Sequence, residues 1–261
     1  MDSFVKARRI VVKVGTSTLT YATGNLNIRQ VEVLCKTLAD IKNSGVEVIL
    51  VSSGAISVGV GKLRLPGRPE DTPSKQAAAA VGQCELMAIY DRQFMSYNLA
   101  VAQLLLIRHD VEDEKRRANV INTLSRLLQM GAVPIINEND TVATEEIEFG
   151  DNDSLSAIVA ALAGADALVI LSDIDGLFTA DPRKDPSATL IGEVHRLTPE
   201  IRALAGDAGS ERGTGGMVTK IHAAQICHEH GINMAIINGE RPETLYDLLE
   251  GKSVGTRFIW E

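Results

Sequence analysis

Gly213-Thr214-Gly215-Gly216-Met217-Val218-Thr219-Lys220 sets a glycine-rich turn directly before a helical pattern. Val218, Ile221, His222, Gln225, Ile226 and Glu229 recur at helical spacing, and Gly231 supplies the stop. Such a turn presents unpaired backbone N–H groups and the positive end of the helix dipole, which together attract an anion. Lys220, about one turn in, adds a full positive charge, so the stretch suits a phosphate. It lacks the G-x-x-x-x-G-K-[ST] spacing of a P-loop. A flexible loop ahead of a surface helix with a solvated lysine has the same pattern, so the rest of the chain must decide. Lys13 poses a similar question. It interrupts the β-branched run Arg9-Ile10-Val11-Val12-Lys13-Val14 just before Gly15. A lysine at the end of a buried strand is costly unless it meets an anionic partner or snorkels to water.

Between the lysines lie carboxylates at strand or helix ends: Asp140, Asp151, Asp153 and Asp173. Helix capping accounts for one of Asp151-Asn152-Asp153, but three acid or amide residues in a row exceed what one cap needs. Phosphoryl transfer requires positive charge on the moving group, backbone donors and in-line positioning, with little covalent help from the protein. Lys13 and Lys220 would supply the charge, Gly15 and Gly215-Gly216 the donors. A carboxylate between the lysines would hold both in place. Mg²⁺ keeps several waters and needs few protein ligands. It is therefore expected on the nucleotide phosphates rather than in a protein metal site.

The elements that position these groups follow from hydrophobic period and punctuation. Strands are expected at 9–14, 47–51, 99–107, 133–137, 167–171 and 233–237, with shorter ones at 191–197 and 254–259. Asn27 is expected to cap a helix from Ile28, and Ser74 a long alanine-rich helix over 75–97. Further helices are read at 112–130, 155–163, 198 onward, 218–230 and 242–249, a loop at 59–72, and a polar hairpin-like segment through Phe149. Strands repeatedly end in small polar residues, as in Ser52-Ser53-Gly54 and Ser172-Asp173. Alternating strands and helices imply an α/β fold with a largely parallel sheet, helices on both faces and a ligand crevice at the strands' C-terminal edge. A single domain of two lobes, about 1–165 and about 166–261, is the simplest organisation.

The 261 residues carry a net charge of −8, which argues against nucleic acid as the main partner. Cys35, Cys84 and Cys227 are odd in number and widely spaced, so core thiols in a reducing compartment are expected rather than metal ligands. No signal peptide and no apolar run long enough to cross a membrane is visible, and a cytoplasmic protein is expected.

Six stretches now stand in register: Val12-Lys13-Val14-Gly15-Thr16-Ser17, Val51-Ser52-Ser53-Gly54-Ala55-Ile56, Asn137-Glu138-Asn139-Asp140, Gly150-Asp151-Asn152-Asp153, Ser172-Asp173 with Gly176-Leu177, and Gly213 to Lys220. Together they resemble the amino acid kinase family over essentially the whole chain, and most closely its glutamate-phosphorylating branch. The resemblance implies a three-layer αβα sandwich with a mainly parallel sheet of about eight strands. It implies ATP and Mg²⁺ as cofactors and L-glutamate as the acceptor. Lys13 and Lys220 would stabilise the transferring phosphoryl group, and Asp153 would match the aspartate that orients them. Ser53, Asp140 and Asn152 would match the glutamate-binding residues. Lys13, Ser172, Asp173, Thr214, Gly215, Gly216, Met217, Val218, Thr219 and Lys220 would match the ATP-binding ones. The family also implies homo-oligomers and feedback inhibition by L-proline. Many bacterial relatives continue into a C-terminal PUA domain, and this sequence is expected to be the kinase domain alone. Another acyl or phosphate kinase of the same fold, for N-acetylglutamate for example, and a non-catalytic glutamate or proline sensor are the competing readings. The five histidines lie outside the motifs and are expected to fill surface or helix-face positions.

Overall fold

β-branched residues in an unbroken run form β1 (Arg9–Val14), which is buried from its second residue onward. It pairs in parallel with β2 (Glu47–Ser52) on one side and β5 (Ala167–Ser172) on the other. The structure is a computed structural model and describes residues 3–21, 23–143, 151–204 and 216–260. Around this centre the sheet has eight strands in the order β3-β4-β2-β1-β5-β7-β8-β6. Here β3 is Val101–Leu106, β4 Val133–Glu138, β6 Glu193–Val194, β7 Asn233–Asn238 and β8 Thr256–Phe258. The strands from β3 to β7 run parallel, β8 is antiparallel to β7, and β6 pairs in parallel with β8.

Alternation along the strands sorts side chains between two helical layers. Ile10, Val12, Val14, Val48 and Leu50 face α2 (Ile28–Asn43), α4 (Thr72–Met95) and α10 (Thr244–Leu249). Val11, Ile49, Val51, Leu168 and Ile170 face α6 (Glu114–Gln129), α7 (Asn152–Ala163) and α9 (Met217–Glu229). Lys13 is two residues on from Val11, so it shares the α7–α9 layer. The result is the αβα sandwich expected from the sequence. The helix α3 (Ala55–Leu63) and the short helices α1 (Thr16–Leu19), α5 (Arg108–Glu112) and α8 (Pro199–Ala203) complete the described helices.

Several boundaries differ from expectation. Residues 59–63 belong to α3 (Ala55–Leu63), not to a loop. Its glycines serve contact rather than a turn. A Cβ at Gly59 would lie 1.8 Å from the Ala78 carbonyl oxygen, and one at Gly82 1.8 Å from that of Ala55. Thus α3 and α4 touch backbone to backbone, which fixes α3 and the rim residues Ser53 and Gly54 before it. Gly59→Ala and Gly82→Ala should each lower stability by about 2 kcal/mol or more, because neither backbone can yield alone. Urea denaturation of the two variants checks this.

The long helix begins at Thr72 because Asp71, not Ser74, is its cap: the Asp71 side chain accepts from the Ser74 amide, and Pro73 sits in the first turn. The expected helix over 112–130 is divided at Asp113, which ends α5 and caps α6 by accepting from the Arg116 amide. Pairing trims the last two strands to Glu193–Val194 and Thr256–Phe258. The expected hairpin-like segment through Phe149 lies, from residue 144 on, outside the described residues.

Candidate active site

The carboxyl ends of β1, β2, β4, β5 and β7 open on one edge of the sheet, where an open α/β fold binds ligands. Asp151 caps α7 there by accepting from the Ser154 amide, which leaves Asp153 in the first turn with no exposed surface. The Asp153 carboxylate lies between two lysines. Lys13 Nζ is 2.6 Å from Oδ1 and Lys220 Nζ 3.2 Å from Oδ2. Thr219 Oγ1, with one hydrogen to donate, lies 2.7 Å from Oδ2 and 2.8 Å from the Gly216 carbonyl. Lys13 and Lys220 are themselves only 8% and 6% exposed. Burial alone would push the Asp153 carboxyl up. The charges of Lys13 and then Lys220 outweigh it, helped by hydrogen bonds from Lys13 and Thr219, and hold it at about 2 against an ordinary 3.8.

That depression has a sign. A carboxyl whose folded pKa lies below its unfolded value stabilises above the unfolded pKa, and the contribution fades as pH falls through the folded one. Between pH 4 and pH 2 the protein should therefore lose about 2 kcal/mol from this group. Urea midpoints across that range should fall more steeply for the native chain than for Asp153→Asn.

Two buried ammonium groups share one carboxylate, so the cluster keeps one net positive charge. α9 adds its N-terminus, where Gly216 has no side chain to cap the first-turn amides. This donor set fits a polyphosphate. Ser172, which is buried, and Asp173 end β5, with Ser172 Oγ 3.3 Å from Asp173 Oδ1. The Ser172 carbonyl accepts from the Gly239 amide at 2.7 Å, tying the β5 end to the β7 end. Met217, Val218 and Thr219 form the first turn of α9 beside these ends. Thr214 and Gly215 lie outside the described residues.

A second group surrounds Asn152. Its Nδ2, which has two hydrogens to donate, lies 2.7 Å from Ser53 Oγ, 3.0 Å from Asn137 Oδ1 and 3.3 Å from the Ser52 carbonyl. The structure thus joins Ser53 and Asn152 directly. Asp140 follows β4 in a turn whose Ala143 amide bonds the Asn139 carbonyl at 3.0 Å. Reasoning from sequence passed over three participants. Gln83 accepts from Asn137 Nδ2 at 3.0 Å, and Gln76 donates to the Ala143 carbonyl at 3.1 Å. Both sit inside an alanine-rich helix where no motif marks them. The third is His222, expected to be filler, whose Nδ1 lies 2.9 Å from Ser154 Oγ; that hydroxyl also donates to Asp151 at 2.9 Å. The i, i+2 step from Lys220 places His222 over the capped end of α7, a proximity that only the α7–α9 packing reveals. Among the described residues no cluster of three or more His, Cys, Asp or Glu side chains could hold a metal. Cys35 and Cys227 are buried free thiols as expected, and burial raises each to about 12, whereas Cys84 is exposed on α4 rather than in the core.

An αβα sandwich with two lysines converging on one buried carboxylate at the strand ends defines an anion-handling α/β protein. The chain belongs to the amino acid kinase family, whose profile matches residues 8–238. It is 54% identical over 257 residues to a glutamate 5-kinase of Clostridium perfringens, covering 97% of this chain and 96% of that one. It is 51% identical over 261 residues to a glutamate 5-kinase of Listeria innocua, covering 98% and 95%. The carbamate kinase of Giardia lamblia bound to AMP-PNP has the same fold, with a TM-score of 0.69 at 19% identity over 98% of this chain and 100% of that one.

Proposed function

We propose that this chain transfers the γ-phosphoryl group of ATP to the γ-carboxylate of L-glutamate, giving L-glutamyl 5-phosphate and ADP, the first step of proline biosynthesis. The observation that carries this reading is the 54% identity to a glutamate 5-kinase across 97% of the chain. The geometry supports the chemistry. A glutamate carboxylate is ionised at neutral pH, so the attacking oxygen needs no general base. One oxygen of that carboxylate bonds to the γ-phosphorus, the bond to the β–γ bridging oxygen breaks, and ADP leaves with the electron pair. No proton moves. Lys13 and Lys220 balance charge on the transferring group from two sides. Asp153, ionised and paired with both, fixes their ammonium positions and is no base itself. Mg²⁺ carried on the nucleotide phosphates supplies further charge neutralisation.

Ser53, Asn152 and Asp140 hold the acceptor in the lobe of about 1–165, Asp140 pairing with its α-ammonium group. Ser172, Asp173 and the segment from Thr214 to Lys220 hold the nucleotide in the lobe of about 166–261. A cytoplasmic location goes with this reading, and the free cysteines are consistent with a reducing compartment. Homo-oligomers and inhibition by L-proline accompany the reading. The test is ADP release with Mg-ATP and L-glutamate, N-acetyl-L-glutamate, L-aspartate or no acceptor, with hydroxylamine present to trap acyl phosphate. Hydroxamate with glutamate alone is expected. Hydroxamate with another acceptor moves the substrate assignment, and nucleotide binding without turnover on any of them overturns the enzyme reading.

A further inference from the structure

The Asn137 amide is oriented by backbone. The Glu138 N–H lies 2.9 Å from Asn137 Oδ1, and an N–H can meet only an acceptor, so that atom is the oxygen. Asn137 Nδ2 must then point at Gln83, whose Oε1 accepts it at 3.0 Å. Asn137 Oδ1 and the Ser52 carbonyl both accept only, so Asn152 turns Nδ2 toward them. Its Oδ1 is thereby left buried with no hydrogen-bond partner among the described residues. A buried acceptor without a donor is costly, and at a binding site it marks where a ligand donor belongs. Gln83 and Asn137 are themselves 8% and 2% exposed. Seven residues before Gln83, on the same face of α4, Gln76 Nε2 donates to the Ala143 carbonyl at 3.1 Å and so holds the turn that carries Asp140.

We infer that Gln83 and Gln76 are positioning residues that build the acceptor subsite from behind, Gln83 by fixing the amide chain to Asn152 and Gln76 by holding the Asp140 turn. The inference rests on the acceptor reading above and adds a reason for it. At neutral pH both carboxylates of glutamate are ionised, and its only donor is the α-ammonium group. Asn152 Oδ1 is an acceptor waiting for that group. Without the Gln83 acceptor, Asn137 Nδ2 is a buried donor left unpaired. Rotating the amide to relieve it withdraws Oδ1 from Asn152.

The two glutamines act through opposite ends of the same functional group, and this separates positioning from bulk. Gln83→Met should raise KM for L-glutamate about tenfold, the effect of one buried hydrogen bond. Its kcat and KM for ATP should stay within about twofold of the native chain. Gln83→Glu keeps the acceptor and should restore KM. At position 76 the needed group is an N–H, so Gln76→Glu should fail to restore what Gln76→Met loses, and this pair carries the test if Gln83→Met does not fold. Equal rescue by glutamate at both positions, or unchanged KM in both methionine variants, overturns the inference. Side-chain amide exchange of Asn152 in the ligand-free protein is independent of the acceptor. It should quicken about tenfold in Gln83→Met, and unchanged exchange overturns the inference. A native chain that forms no hydroxamate with glutamate overturns the acceptor assignment alone.

Discussion

Lys220→Met should lower kcat by about a thousandfold or more while the protein stays folded. Methionine fills the volume of the lysine stem in the first turn of α9 and leaves Asp153 paired with Lys13 at 2.6 Å. The buried carboxylate is therefore not abandoned, and the stability cost should stay near 1 kcal/mol. On the proposed assignment, what disappears is the ammonium group that meets charge developing on the transferring phosphoryl. That charge is greatest in the transition state, so kcat and kcat/KM should fall together while nucleotide binding weakens only modestly. Steady-state kinetics with direct measurement of nucleotide affinity decides it. Near-native turnover would remove Lys220 from the catalytic assignment. Lys13→Met should behave alike, with a larger stability loss because Lys13 makes the shorter ion pair and sits on the central strand.

Asp153→Asn should do something less intuitive: slow turnover about a hundredfold or more, lower stability by about 3 kcal/mol, and bind ATP more tightly. The substitution keeps size and one acceptor oxygen but removes the single negative charge that the two buried ammonium groups share. Left together, they repel each other and attract any available polyanion. The variant should consequently gain more thermal stability than the native chain at equal ATP concentration, since a ligand stabilises in proportion to its affinity for the folded state. Turnover still falls because the lysines, no longer tethered, follow the ground-state phosphates rather than holding the geometry of the transition state. Thermal melts with and without ATP beside steady-state rates give both halves. Weaker ATP binding together with lost turnover would show that Asp153 organises the whole pocket rather than balancing its charge.

Lys13 and the acid-amide run at 151–153 are legible in the sequence because their residue types conflict with their settings, but the residues alone leave Asp140, Asp151, Asp153 and Asp173 as candidate partners and only the family resemblance singles out Asp153. A lysine inside a β-branched run and three acid or amide residues at one helix start are anomalies that demand partners. Strand positions were equally legible, since β1, β2, β5 and β7 are short apolar runs punctuated by glycine and polar residues. The errors share a physical cause. Gly59 and Gly61 read as loop by backbone propensity, yet Gly59 lies within α3 because α4 approaches too closely for a side chain there. Ser74 and Asp71 are both good caps, and only backbone geometry chose between them. Gln76, Gln83 and His222 carry no local signal whatever: each earns its place through a partner at least 54 residues away in sequence.

Lys13 reaches Asp153 because it lies an even number of residues from Val11, in the α7–α9 layer. The lysine–aspartate cluster is thus phase-locked to the core. Losing or gaining one residue between Arg9 and Lys13 would invert the strand's parity, sending the ammonium into the opposite layer against Leu34 and Leu38 and turning Val12 or Val14 toward the carboxylate. Length changes upstream of β1 leave that phase alone, as do changes after the turn at Gly15. A single strand of six residues therefore transmits one digital instruction to packing and chemistry alike.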